Sequence, residues 1–291
     1  MAPLLVTEYT DPACPWAWSA EPSRWRLRWL YGDGLRWRLR MIGLTSDPRG
    51  YEQRGFTPER LAAGYARFAE RFGMPLDPTP RPRLGATVPA CRAVVAARVH
   101  APGSERPLLR RLRVHAMTRP TAVLDDPLTI ARAAREAGLD PAALQRWVEG
   151  PQVERELRED MAAARSPSPA GVAQRHKLAE GPEGELRYTA PSLVFSREDG
   201  VAIDVPGFQP AQAYEVAIAN LDPGLPRREQ PASAAELLAW APVPLATQEI
   251  AVVMGIERDE AVAGLLAAGA RAEAAGTDRF WSLAQSGRQA A

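Results

Sequence analysis

The feature that most constrains this chain is a junction near its start. An apolar, strand-forming run, Leu4 to Tyr9, passes through Thr10-Asp11-Pro12 into Cys14-Pro15-Trp16-Ala17, where a helix is predicted to begin. A cysteine at a helix N-terminus meets unpaired backbone N–H groups and the positive end of the helix dipole, which favour thiolate over thiol. Cys14 is therefore expected to be a nucleophile with a depressed pKa, at a redox-type site whose second thiol is missing.

The pattern beyond this junction is that of a layered α/β fold. The first helix is expected from Pro15 to Leu30. After the Gly32-Asp33-Gly34 turn, Leu35, Trp37, Leu39 and Met41 alternate with Arg36, Arg38 and Arg40, the period of a strand. From Thr57 the period changes: Leu61, Tyr65, Phe68 and Phe72 fall on one helical face behind a Thr57 cap and Pro58. Further helices are expected from Pro89 to His100, Pro107 to Met117, Pro127 to near Gly138, Pro141 to Val148 and Gln152 to Arg165, and a loop from Ser166 to Gly184. Strand character returns at Ser192 to Phe195, turns at Glu198-Asp199-Gly200, resumes from Val201 to Val205, and precedes a helix from Pro210 to Ala219. A βαβ unit followed by ββα is the thioredoxin layout. The expected organisation is a thioredoxin-like domain in residues 1–56 and 185–228, a helical insertion in 57–184 and a small C-terminal module in 229–291. Within 232–285 three helices (Ser233 to Trp240, Thr247 to Met254, Arg258 to Ala268) precede two strands (Arg271 to Ala275, Arg279 to Leu283), a winged-helix-like pattern.

The run Tyr9-Thr10-Asp11-Pro12-Ala13-Cys14-Pro15-Trp16, with Glu21-Pro22 behind it and Thr189-Ala190-Pro191-Ser192-Leu193-Val194-Phe195 later, resembles the DsbA-like thioredoxin-fold family. It is most similar to the cytosolic FrnE-type oxidoreductases and the adaptor proteins related to them. Val88 to Ala93 and Glu136 to Asp140 resemble the helical insertion of that branch, so the likeness covers about residues 4–225. The resemblance implies that Cys14 is the attacking thiol and that Pro191 is a cis-proline packed against it, leaving the backbone of Ala190 exposed to pair with a peptide or thiol. It also implies that the insertion lies over the site as a lid. Ala17 stands where the family's resolving cysteine would be, so a C-x-x-C disulfide cannot form.

Several residues carry two readings. Cys91 reads as a small core residue, with a distant resolving thiol as the alternative. Pro15 and Trp16 are candidate substrate contacts. Trp16 and Trp18 form either an apolar rim for substrate or ordinary packing. Glu21 reads as an exposed surface charge, with a buried proton acceptor as the alternative. The strand Arg36 to Arg40 is most simply a solvated face. The third C-terminal helix opens Glu257-Arg258-Asp259-Glu260, which disfavours phosphate approach, while Val262, Leu265, Leu266, Phe280 and Trp281 suit protein contacts.

A net charge of +1 over 291 residues argues against a polyanion-binding surface, although only Lys177 among 36 basic residues is lysine. His100, His115 and His176 have no paired metal-ligand spacing, so no metal is expected. No secretory signal or long apolar run is evident, and the expected location is the cytoplasm, where both cysteines would rest as thiols. Three activities fit: a monothiol oxidoreductase borrowing a low-molecular-weight thiol, a non-catalytic adaptor binding a partner protein, and an enzyme like the kappa-class glutathione transferases and isomerases. Expected partners are thiol or disulfide substrates or a partner protein, with no firmly bound cofactor, no nucleic acid and no membrane.

Overall fold

The computed structural model describes residues 2–181 and 184–283. Strand β1 (Leu4–Thr10) buries Leu4, Val6, Glu8 and Thr10, so its inward face carries one carboxylate among apolar groups. The helix expected from Pro15 to Leu30 is two helices, α1 (Pro15–Ser19) and α2 (Glu21–Tyr31), joined at Ala20. Pro22 is the physical reason: it has no N–H to return to Trp18, so the regular ladder lapses there. Strand β2 (Leu35–Met41) then pairs in parallel with β1, Val6 opposite Trp37.

After β2 comes α3 (Arg49–Glu52), which the sequence pattern did not reveal, and then the insertion's helices α4 (Pro58–Phe72), α5 (Val88–His100), α6 (Glu105–Thr118), α7 (Pro127–Glu136), α8 (Pro141–Trp147) and α9 (Pro151–Ala164). The starts follow from local chemistry. Thr57, Asp126 and Asp140 each accept a bond from a backbone N–H of the first turn, with proline at the next position. Helices α4 to α9 share one apolar cluster with Trp18, Leu39 and Met41. Asp160 of α9, wholly buried, accepts from the Met41 N–H at 3.0 Å and the Arg40 guanidinium at 2.7 Å, closing the edge of β2. Arg36 and Arg38 are exposed as expected, whereas Arg40 is tied down by that ion pair.

The stretch expected as a loop after Ser166 contains the short helix α10 (Pro169–Val172), capped by the Ser168 hydroxyl, and β3 (Ala179–Glu180), which pairs with β4 (Leu186–Arg187). Strands β5 (Ser192–Ser196) and β6 (Ala202–Val205) form the expected hairpin, and α11 (Ala211–Leu221) follows. The main sheet has the order β2-β1-β5-β6, with β5 antiparallel to β1. This is a thioredoxin-like fold carrying a helical insertion.

Beyond the proline-rich linker come α12 (Ala234–Trp240), β7 (Leu245–Ala246), α13 (Thr247–Met254), α14 (Arg258–Ala267), β8 (Arg271–Ala275) and β9 (Asp278–Ser282). The three strands form a separate sheet ordered β7-β9-β8. β7 was too short to show as a pattern, and the last residues of the expected module, 284–291, lie outside the described residues. Trp25, Trp29 and Leu30 of α2 join Leu237, Ile250 and Trp281 in one buried cluster, so this unit is docked on the thioredoxin-like part. Leu266, expected among the docking residues, is instead 65% exposed because it lies on the outer face of α14.

Candidate functional site

Cys14 caps α1 from an extended conformation, and the backbone N–H groups of Trp16 and Ala17 face its sulfur. Its thiol donates to the carbonyl oxygen of Ala190 at 3.0 Å. The Ala190–Pro191 peptide is cis, and both residues are buried. The backbone of Ala190, expected to be exposed, is buried, and its carbonyl oxygen already accepts from Cys14. The expected low pKa is also corrected. Burial pushes the Cys14 thiol up to about 11, Asp11 adds to the rise, and the N–H groups of Ala17 and Trp16 with Arg113 offset only part of it. A five-residue helix brings few aligned dipoles to a desolvated sulfur.

Beneath the cysteine lies a buried charge network. Glu8 on β1 and Glu21 on α2 meet Arg24, Arg106, Arg110 and Arg113. Burial alone would raise the Glu8 carboxyl, but Arg24, Arg106 and Arg113 outweigh it and hold the group at about 2. Arg113, 1% exposed, also donates to the Thr10 hydroxyl. Arg110 continues into the C-terminal unit with a two-pronged bond to Glu249, at 2.6 and 2.7 Å. Glu21 is thus no exposed surface charge: it is 1% exposed and engaged by three guanidinium groups.

Asp11 connects the loop before Cys14 to the insertion. It accepts from the N–H groups of Ala13 and Leu44, both at 2.9 Å, from the Thr87 hydroxyl at 2.8 Å and from the Cys91 thiol at 3.4 Å. Cys91 has no exposed surface, and burial with the neighbouring Asp11 pushes its thiol well above the ordinary range. Both cysteines are free.

Beside Pro15 and Trp16 a cavity of about 380 Å³ opens between α1, α4 and residues 81–86. Trp16 is 40% exposed and packs against Phe68, Phe72 and Phe208 at centroid distances of 4.7, 5.4 and 5.6 Å. Trp18 lies in the core, its indole N–H bonded to Pro75 O at 2.9 Å. Among the described residues no cluster of three or more His, Cys, Asp or Glu is arranged to hold a metal ion.

The family profile described as the DSBA-like thioredoxin domain matches residues 5–172, more than half of the chain. The chain belongs to that family. A curated relative of this DsbA-like protein is the ClpXP adapter protein SpxH of Halalkalibacterium halodurans, 27% identical over 267 residues that span 89% of this chain and 80% of the relative. Among solved structures, a candidate protein disulfide isomerase from Nitrosomonas europaea superimposes with a TM-score of 0.56 and 16% identity, covering 75% of this chain and 97% of its own. The cytosolic disulfide reductase DsbM of Pseudomonas aeruginosa with GSH gives a TM-score of 0.50 at 20% identity over 75% of this chain and 100% of its own. The DsbA-like protein thus shares its fold with thiol-disulfide enzymes of known structure and is similar in sequence to an adapter, and among its described residues no helix is long and apolar enough to cross a membrane.

Sequence reasoning missed four members of this DsbA-like site. Glu8 was readable only as an inward position of β1, and Arg113 as one of many arginines on α6. Tyr51 and Tyr65 line the cavity beside Pro15, but only their folded positions connect them to Cys14.

Proposed function

We propose that this protein is a DsbA-like adaptor, which binds a partner protein and does not turn over disulfides. The observation that carries the reading is the state of Cys14: a buried thiol bonded to Ala190 O, raised to about 11, with Ala17 in place of a second thiol. Near neutral pH such a sulfur is almost entirely protonated, and a mixed disulfide formed on it would have no neighbouring thiol to release it. The likeness to the adapter spans 89% of the chain, more than residues 1–228 contain, so it runs into the C-terminal unit. We take residues 229–291 as a winged-helix-like module used for protein contact. Its β8–β9 turn supports this, because Thr277 N–H donates to Leu76 O at 3.0 Å, which turns the hairpin tip onto the chain itself. The partly exposed ridge of Trp16, Phe68, Phe72 and Phe208 is the kind of aromatic surface that anchors a partner.

The test pairs two measurements on the purified full chain. Binding to the unfoldase subunit of a ClpXP protease, followed calorimetrically, should be unchanged in Cys14→Ser, and insulin reduction with glutathione should stay at background in both proteins. Glutathione-dependent turnover that disappears in Cys14→Ser would instead establish a monothiol oxidoreductase. That second reading has one observation in its favour, the pair of N–H groups from Trp16 and Ala17 facing the sulfur. It would require a low-molecular-weight thiol and an opening of the Ala190 contact.

A further inference from the structure

We propose that the cavity beside Pro15 and Trp16 is a binding site for a small organic anion with an apolar body, such as an aryl or alkyl carboxylate. The proposal goes beyond the adaptor reading, although Trp16 and Phe68 belong both to the cavity wall and to the ridge offered there to a partner. The volume, about 380 Å³, is that of a small-molecule site, and the walls are built from Trp16, Leu61, Phe68, Leu84 and Leu124. Burying an apolar body against such walls supplies the affinity.

The charged side chains that line the cavity are all arginines. Arg60, Arg67, Arg81 and Arg83 line it, and no carboxylate does. Arg83 is neutralised by Asp125 at 2.6 Å. The other three make no ion pair among the described residues: Arg60 donates to Gly55 O, Arg81 donates to Thr79 O and Ala116 O, and Arg67 has no partner there. Backbone carbonyls satisfy donors but leave the charge, so the site holds guanidinium groups that no carboxylate bonds directly, Asp77 acting on Arg81 only at a distance, beside an apolar wall. An anion with an apolar tail satisfies both at once.

A second observation points the same way. Tyr51 and Tyr65 line the same cavity, and neither hydroxyl makes a hydrogen bond among the described residues. Burial pushes both phenols up, so each remains a donor for an acceptor entering the cavity. Arg81 lies over the Tyr65 ring at 5.3 Å, which places a cation and a phenol side by side.

The fold offers a clean way to close the site. Gly64 lies on α4, lines the cavity, and a Cβ built on it meets nothing within 4 Å. Gly64→Phe should fill the cavity without disturbing the helix, since replacing a helical glycine removes an entropic penalty. The experiment is a fluorescence titration of the full chain with anilinonaphthalene sulfonate, followed by displacement with phenylbutyrate and with its neutral amide. The proposal expects saturable dye binding, displacement by the carboxylate at least about tenfold better than by the amide, and loss of binding in Gly64→Phe with circular dichroism and Tm retained. Arg67→Glu, on an exposed side chain, should weaken phenylbutyrate by about tenfold or more while leaving the amide unchanged. Absence of dye binding, equal displacement by acid and amide, or undiminished binding in the two variants would each overturn it. If Gly64→Phe fails to fold, Arg67→Glu and the acid-to-amide comparison decide the matter alone.

Discussion

The Cys14 thiol and the carbonyl oxygen of Ala190 are joined by a 3.0 Å hydrogen bond, in which the sulfur is donor. A donor must keep its proton, so the contact and the burial around it work against the thiolate that the helix terminus alone would favour. The site has the geometry of a thioredoxin-fold nucleophile and the electrostatics of a resting thiol.

Alkylation of Cys14 by iodoacetamide is therefore expected to be slow at neutral pH and to accelerate toward a midpoint near 11, where burial has placed the thiol. The sign for stability follows from the same shift. The folded pKa lies above the ordinary value of 9.0, so the contribution is complete below pH 9 and is lost as pH rises through about 11. It amounts to about 2–3 kcal/mol. The difference in unfolding free energy between wild type and Cys14→Ser should narrow across that window; a pH-independent difference, or an alkylation midpoint below 8.5 or so, would contradict the buried-thiol picture.

Glu8 gives the opposite dependence. Its folded pKa of about 2 lies below the ordinary 4.5, so its contribution is complete above pH 4.5 and disappears as pH falls through about 2. Glu8→Gln should flatten that acid limb in a urea titration. At pH 7 it should cost about 3–5 kcal/mol, because Arg24, Arg106 and Arg113 would lose a buried partner. Glu21→Gln should cost a similar amount, since three guanidinium groups converge on that carboxylate. Effects below about 1 kcal/mol, the range of exposed pairs, would show the network to be solvated.

The contrast between Glu21 and the helix starts shows what the sequence makes legible. Thr57, Asp126, Asp140 and Ser233 each announce a helix because the cap and its N–H partner lie within four residues. The strand, helix, strand opening and the β5–β6 hairpin are readable for the same reason: their periods are local. Glu21 could not be placed, since Arg110 and Arg113 reach it from a helix that comes alongside only after the insertion folds. The raised pKa of Cys14 is of this kind too. Its N-terminal helix position is written in residues 14–17, but the burial that decides the outcome comes from distant segments that include Ala190.

Cys91 is expected to be silent in the native state. It has no exposed surface and its thiol is held by Asp11 at 3.4 Å. In Cys14→Ser, reaction with a disulfide reagent should follow the rate of opening or unfolding and not the reagent concentration. Fast, second-order labelling of Cys91 in that variant would show that it is accessible and would revive it as a resolving thiol.

The C-terminal unit is expected to be held in place by its hairpin tip as well as by its apolar face. Gly276 has φ of 52°, and a Cβ there would stand 2.5 Å from the carbonyl carbon and oxygen of Leu76, a backbone group that cannot swing aside. Gly276→Ala must therefore strain the turn and push the tip off Leu76, breaking the Thr277 N–H bond to Leu76 O. The left-handed conformation and the lost bond together should cost about 2–3 kcal/mol. Gly269→Ala is the control: φ is 63°, but nothing lies within 4 Å, so only the conformational part applies, about 1–2 kcal/mol. Urea unfolding of both variants, with the slope unchanged, reads the difference directly. A larger loss for Gly276→Ala than for Gly269→Ala is the expected result; equal losses would mean that the contact with Leu76 contributes nothing and that the unit is held by the Trp25, Trp29 and Trp281 cluster and the Arg110–Glu249 pair without it.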